Sequence, residues 1–504
     1  MNFDHLIKLK TLAELKASGY QSLPIKEEMR KNLIEKLRSK QKIFEGIKAY
    51  DETVIPDLER AVLSRHNILL LGLRGQAKTR IARLMTNLLD EYIPVLKGCE
   101  LSDDPFHPIS RHAKDLIALH GDAIEIEWMH RDERYTEKLA TPDVSVADLI
   151  GDVDPIKAAN MKLPYSDERV IHFGLIPRSN RGLFVINELP DLQPRIQVAL
   201  FNILQEGDIQ IRGFKLRLPL DIEFIFTANP EDYTNRGSIV TPLKDRIESQ
   251  ILTHYPKEIS TSKEITLQEA RLSPSQKENI QSFEVVENLL EQIAFEARSN
   301  EFVDPKSGVS ARLTISGMEN LYSAAERRMI LNNEKQTAVR ISDFWGVIPS
   351  ITGKIELVYE GEQEGSMIVA QNLIGKAIRT QFINYFPNPE KLKKKKEPGI
   401  PQSNVPQSRP YQEITEWFGA GNEVDVLTDS SNKDYNNALL MVPGVAEVVK
   451  KYFPKAKSEE RLLLMELVLH GLAEYSMLSK NLLTSGLRFK DLFSSVFQRG
   501  TEES

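Results

Sequence analysis

The sequence predicts an α/β protein, with a parallel sheet covered by helices in its first half and mainly helical structure beyond. Three observations carry that reading. Short apolar runs at Ile68–Leu71, Leu183–Ile186 and Ile222–Ala228 alternate with amphipathic stretches long enough for crossover helices, as buried parallel strands require. From about residue 256 the apolar residues recur at helical spacing, in 285–297, 316–331 and 368–386. A stretch rich in proline and lysine, 387–410, then precedes a last helical stretch whose apolar face lies in 462–472. Residues 1–45 read as polar helix with Leu33, Ile34 and Leu37 at helical spacing. The expected organisation is a helical segment at 1–45, an αβα core at 46–255, a helical lid at 256–386, a linker at 387–410 and a helical domain at 411–504.

Composition bounds the function. At roughly 150 residues per domain, 504 residues suggest about three domains. A chain that is 41% hydrophobic and 27% charged has enough apolar material for sizeable cores. Its 65 basic and 72 acidic residues leave a net charge of −7, which argues against a dedicated duplex-DNA binder. The single cysteine, Cys99, excludes an internal disulfide framework and suits a reducing cytoplasm. No apolar run reaches the roughly 18 residues of a membrane span, and the first residues lack a signal-peptide pattern.

The chemistry begins after the first apolar run. Gly72-Leu73-Arg74-Gly75-Gln76-Ala77-Lys78-Thr79 follows it, and an amphipathic helix follows that. Strand, glycine-containing loop, Lys-Thr and helix form a phosphate-binding loop in its required context. Loop N–H groups converge on phosphate oxygens, Lys78 reaches the outer phosphates and the Thr79 hydroxyl ligates Mg²⁺. Alanine stands at position 77 where the consensus has glycine; it fits a right-handed helix start and crowds a left-handed one.

A second strand ends Ile186-Asn187-Glu188, where ATPases of this arrangement end Asp-Glu. Glu188 is the candidate to polarise the attacking water, whereas Asn187 lacks the charge expected near the metal. Two readings stay open: hydrolysis, favoured because the base is intact, and a nucleotide-gated scaffold with little turnover. A third strand ends at Asn229, a candidate to bond the attacking water or γ-phosphate. Arg246 can act on a neighbouring subunit's nucleotide, and Arg312, at a helix start, can reach back to this chain's own.

The order of these segments resembles the AAA+ ATPases of the clade containing the I subunit of magnesium chelatase. MoxR-type ATPases and minichromosome-maintenance helicases are more distant relatives. The residues carrying the resemblance are 72–79, 148–159, 174–192, 199–233 and 309–328. It implies an AAA+ αβα core with a helical lid, ATP and Mg²⁺ as cofactors, and ATP hydrolysis. It places Gly72, Gly75, Gln76, Ala77, Lys78 and Thr79 in the first nucleotide motif, with Asn187 and Glu188 in the second. Asn229 becomes the first sensor, Arg246 the trans-acting finger and Arg312 the second sensor. Alanine at position 77 is common in this clade, whereas Asn187 departs from its pattern. The resemblance also implies a ring, typically hexameric, that remodels a protein client, with a von Willebrand A domain protein as the best partner class. A hairpin at about 207–218 and an insertion at about 151–180 would face the pore or the partner.

Other features have competing readings. Cys99, His107, His112 and His120 lie in a loop-like stretch, Gly98 to Gly121, that has zinc-ligand types but no paired-knuckle spacing. Met129–Arg134 reads as a solvated face or a subunit interface. The basic residues Arg212, Lys215 and Arg217 raise a DNA-dependent motor as an alternative, and the Lys391–Lys396 run reads as linker.

Overall fold

A computed structural model describes residues 6–165, 167–211, 217–230, 237–393, 410–483 and 485–492. The chain divides into two compact units, 1–255 and 256–504. The first is built on five strands: β1 (Ile68–Leu71), β2 (Tyr135–Leu139), β3 (Gly182–Asn187), β4 (Ile222–Ala228) and β5 (Ser249–Leu252). All pairings are parallel, in the order β5-β1-β4-β3-β2. Because side chains alternate across a sheet, Leu183, Val185 and Ile225 enter one hydrophobic core while Phe184, Ile186, Phe224 and Phe226 enter another. Helices α1 (Ile25–Ser39), α2 (Val54–Ser64) and α3 (Lys78–Leu84) cover the first face.

Ile25, Met29 and Leu33 of α1 are fully buried in that core, so the polar helical segment of residues 1–45 forms part of the α/β unit. Electrostatics pin it further. Glu28 of α1 pairs with Arg134, both buried, so Arg134 departs from the solvated reading of 129–134 while Asp132 and Glu133 are exposed. At the start of β4, buried Glu223 faces Lys26 at 3.7 Å. Burial pushes its carboxyl up to about 8 against the pull of Lys26, with Glu248 and Asp221 adding to the rise. Asp221 is pushed to about 6, chiefly by burial. The folded chain therefore keeps these protons over a range where the unfolded chain has lost them. Stability is expected to fall as pH rises from about 5 to 8, by roughly 1.4 kcal/mol per unit at most for Glu223. Urea midpoints at the two pH values check this, and Glu223→Gln should flatten the slope.

Three insertions carry local structure. The stretch from Gly98 to Gly121 is not simply a loop: Arg111–His120 is a helix whose N-cap, Ser110, accepts the Ala113 N–H at 3.0 Å. Strands Gly151–Val153 and Ile171–Phe173 form an antiparallel pair around helix Pro155–Met161. Asp208–Gln210 pairs antiparallel with Arg217–Pro219, matching the hairpin signal, while Arg212 and Lys215 lie outside the described residues.

The second unit contains α4 (Glu284–Arg298), α5 (Arg312–Leu331), α6 (Ser366–Tyr385) and α7 (Ser458–Glu474). Its final part is not wholly helical. It adds an antiparallel sheet of β6 (Val424–Leu427), β7 (Ser479–Leu483) and β8 (Gly486–Lys490), in the order β6-β8-β7. One core runs from Ile280 to Phe489, so the stretches expected as lid and as C-terminal domain share their packing. The contact between α6 and α7 depends on Gly471, where an added Cβ would meet the Phe382 ring at 2.1 Å. Most of the proline- and lysine-rich stretch, 394–409, lies outside the described residues.

Candidate nucleotide-binding site

The register of the sheet assembles the site. Leu71 pairs with Ala228 and Phe226 with Ile186, so β1, β3 and β4 end together and their next residues share the carboxyl edge of the sheet. That edge is where open α/β sheets bind ligands. From β1 the chain enters the phosphate loop, from β3 it reaches Asn187 and Glu188, and from β4 Asn229.

The loop is held from several sides. Gly72 N–H donates to Ala228 O at 3.2 Å, and a Cβ at Gly72 would meet Thr253 Oγ1 at 2.0 Å and Gln76 Oε1 at 2.2 Å. The loop needs glycine there. Thr253 Oγ1 donates to Gln76 Oε1 (2.7 Å), Tyr50 Oη to Gln76 O (3.0 Å) and Tyr255 Oη to Arg74 O (2.8 Å). Gly75 and Ala77 are both left-handed, with φ of 70° and 58°. Alternation of this kind turns successive N–H groups into one concavity, the backbone form of an anion site. Ala77 thus takes the conformation its side chain crowds, a cost of about 1–2 kcal/mol that favours glycine in other loops.

Within the loop, buried Lys78 donates to the carbonyls of Gly72 and Leu73 and, at 2.6 Å, to Asn229 Oδ1. Asn229 Nδ2 in turn donates to Glu188 Oε2 at 2.6 Å. The ammonium on one side and the carboxylate on the other dictate the amide's orientation. Asn229 therefore joins the phosphate-loop lysine to the candidate base. Glu188 itself sits at a φ of 56°, with its N–H on Thr227 Oγ1 at 3.2 Å. A left-handed non-glycine residue is strained, and such residues cluster at functional sites.

Thr79 Oγ1 donates to Asn187 Oδ1 at 3.5 Å, and Thr227 Oγ1 does so at 3.0 Å. Asn187 Nδ2 donates to Glu137 Oε1 on β2 at 2.5 Å. Glu137, Thr227, Tyr50 and Thr253 were not legible as site residues. Glu137 sits in Tyr-Thr-Glu-Lys-Leu, a mixed edge strand whose only signal is its β-forming start.

Arg246 makes its contacts elsewhere in the first unit, and Arg312 belongs to the second. Arg246, just beyond helix Thr241–Asp245, donates to Gln205 Oε1 at 2.8 and 3.1 Å and to Pro242 O at 2.8 Å, and lies over the Phe201 ring. Arg312 opens α5 in the second unit, exposed, with its N–H on Ser310 Oγ at 3.1 Å. Cys99 is half-buried, and burial pushes its thiol up to about 12, away from the thiolate a metal would need. Among the described residues no three His, Cys, Asp or Glu side chains are placed to hold a metal ion. None of their helices is long and apolar enough to cross a membrane.

Fold and site together give an αβα unit on a parallel sheet whose first strand runs into a glycine-containing loop ending Lys78-Thr79. In sequence the chain is distantly similar to the magnesium-chelatase 38 kDa subunit of Cereibacter sphaeroides, 23% identical over 201 residues covering 39% of this chain and 54% of that one. It is also similar to the ATP-dependent protease PrkA of Bacillus subtilis, 21% identical over 264 residues covering 45% and 41%. The chain spans about half the length of the curated relatives it matches. Among solved structures, a complex of magnesium-chelatase subunits BchI and BchD superposes with a TM-score of 0.33 at 18% identity, covering 64% of this chain and 98% of that one. No protein-family model matches the chain.

Proposed function

We propose that this chain is an ATPase of the magnesium chelatase I-like and MoxR-related kind, which binds Mg²⁺-ATP at the 72–79 loop and hydrolyses it. The observation that carries the reading is Asn229, which ties Lys78 to Glu188 in one hydrogen-bonded set. The donor set fits a nucleotide phosphate: a left-handed loop with converging N–H groups, a buried lysine and a threonine hydroxyl beside it. When bound, Mg²⁺ supplies Lewis-acid stabilisation of the outer phosphates. Lys78, now on the loop carbonyls, would hold the phosphate oxygens, and Thr79 would provide a metal ligand. Glu188 takes the proton of the attacking water, held in place by the Asn229 amide.

Arg246 is already oriented by Gln205 and Phe201, which suits a finger presented to a neighbouring subunit in a ring, hexameric on the family pattern. Arg312 serves as second sensor. The 151–180 insertion exposes Ile156, Tyr165 and Met161, which supports a protein client at this face, a von Willebrand A domain protein being the partner class. The single Cys99 suits a cytoplasmic setting.

Asn187 favours a second reading, a nucleotide-gated scaffold with little turnover. The alternative of a DNA-dependent motor rests on Arg212, Lys215 and Arg217, of which only the exposed Arg217, facing Asp208 at 3.5 Å, lies among the described residues. Binding is tested with a ribose-labelled fluorescent ATP in the presence of Mg²⁺. The wild type should bind and Lys78→Ala should weaken binding by about 100-fold or more, as removal of a charge-assisted phosphate contact implies. Equal affinity in the two proteins would contradict the site.

A further inference from the structure

Resting on the Mg²⁺-nucleotide reading above, we propose that Glu137 supplies the carboxylate that the second nucleotide motif lacks, so that the site's negative charge has moved from the end of β3 to the neighbouring strand β2. Glu137 acts through Asn187 and is a positioning residue. The geometry is a chain of three side chains. Thr79 Oγ1, the candidate metal ligand, donates to Asn187 Oδ1 at 3.5 Å, and Asn187 Nδ2 donates to Glu137 Oε1 at 2.5 Å.

The sheet dictates the meeting. In the parallel pairing of β2 with β3, Glu137 lies opposite Val185 and Leu139 opposite Asn187. Residues two apart on a strand share a face, so Glu137 and Asn187 stand on the same face as diagonal neighbours, within reach of a long side chain.

This pairing accounts for the asparagine. Its amide presents an acceptor towards Thr79 and Thr227 and a donor towards Glu137. An aspartate would keep the acceptor and turn a second oxygen onto the Glu137 carboxylate. Two ionised carboxylates at that separation repel, and one would have to take up a proton. The two positions thus hold one negative charge between them, and with Glu137 on β2 the residue at 187 has to be neutral. The other partners of Glu137 leave this intact. Arg83 meets Oε2 at 2.9 Å from a side chain that is 67% exposed, a weak surface pair, and Tyr135 Oη donates to the same oxygen at 3.0 Å. Oε1 is the atom on Asn187.

The test titrates Mg²⁺ into the full chain with the ribose-labelled ATP and reads the free Mg²⁺ that half-saturates tight nucleotide binding. Thermal melting of each variant is followed in parallel. Outer-shell carboxylates at metal sites typically change metal affinity by 10- to 100-fold, so Glu137→Gln should raise the required Mg²⁺ by about 10-fold or more. Asn187→Asp alone should not lower it. Glu137→Gln combined with Asn187→Asp restores the single charge and should return the requirement to within about threefold of wild type. Arg83→Ala removes the ion pair and keeps the carboxylate, so it should leave the requirement within about threefold.

An unchanged Mg²⁺ requirement in Glu137→Gln would overturn the proposal. If that variant melts below the assay temperature, the double variant decides: a wild-type requirement supports the exchange, and a raised one overturns it. A wild type that binds nucleotide without regard to Mg²⁺ contradicts the role of Glu137 alone. A wild type that binds no nucleotide contradicts the reading of the whole site, and this proposal with it.

Discussion

Glu188→Gln is expected to abolish phosphate release, by about 100-fold or more, while leaving nucleotide affinity within about threefold of wild type. A positioned general base contributes roughly 10²–10⁴ to rate, and glutamine keeps the shape and the acceptor oxygen of the side chain it replaces. The geometry explains why the effect falls on turnover. Glu188 receives Asn229 Nδ2 at 2.6 Å, and its strained backbone is held through its N–H on Thr227. Asn229 would therefore still place the glutamine amide, and Lys78, the proposed phosphate contact, is untouched. Phosphate release and labelled-ATP binding, measured on the same preparation, separate the two effects. Loss of binding in parallel with loss of turnover would show that Glu188 shapes the loop instead of serving as base.

Arg134→Ala should destabilise the α/β unit by about 3–5 kcal/mol, enough to unfold many domains at ordinary temperatures. Arg134 Nη1 and Nη2 donate to the two oxygens of Glu28, each at 2.7 Å, and Nε donates to Arg181 O at 2.8 Å. The side chains are 1% and 4% exposed. Removing the guanidinium leaves a buried carboxylate with only the Asp90 N–H, at 2.7 Å, as a described partner. Replacing both charges, as Glu28→Leu with Arg134→Met, should cost less than Arg134→Ala alone, because no uncompensated charge remains. Urea denaturation of the three proteins checks the order. The same pair explains why residues before 45 matter: α1 closes one face of the sheet, and Glu28 bonds it to the residue that precedes β2.

The parts of the fold visible in the sequence are those buried on both sides. β3 and β4 are buried along their whole length, so their side chains are apolar except at Glu223 and Thr227 of β4 and at the terminal Asn187 of β3, and such runs are easy to read. Their polar ends, Asn187, Glu188 and Asn229, were legible because polarity there breaks the run at the carboxyl edge of the sheet. β2 and β5 lie at the outer positions of the described sheet. Tyr135-Thr136-Glu137-Lys138-Leu139 and Ser249-Gln250-Ile251-Leu252 mix polar and apolar residues as an edge allows, and neither stood out.

Glu137 was hidden for that reason. A carboxylate in an edge strand reads as solvent-facing until the register sets it beside Asn187. Tyr50, Thr253 and Tyr255 were hidden by distance along the chain, since they grip the loop only after β5 has paired with β1. Ala77 shows a different gap. The loop's left-handed turn is set by closing β1 onto α3, and local preference alone favoured a right-handed residue. In the second unit, Val424–Leu427 and Ser479–Leu483 are short and surrounded by helix, so their pairing with Gly486–Lys490 was not apparent from periodicity.

The central claim, that this site turns over ATP and that an arginine from a neighbouring copy completes it, is tested most directly by steady-state phosphate release with Mg²⁺-ATP over a wide range of wild-type concentrations. The account predicts release whose rate per chain rises with concentration as copies assemble, then levels off. Saturable ATP binding with release at background at every concentration would contradict hydrolysis and leave the nucleotide-gated scaffold as the better description.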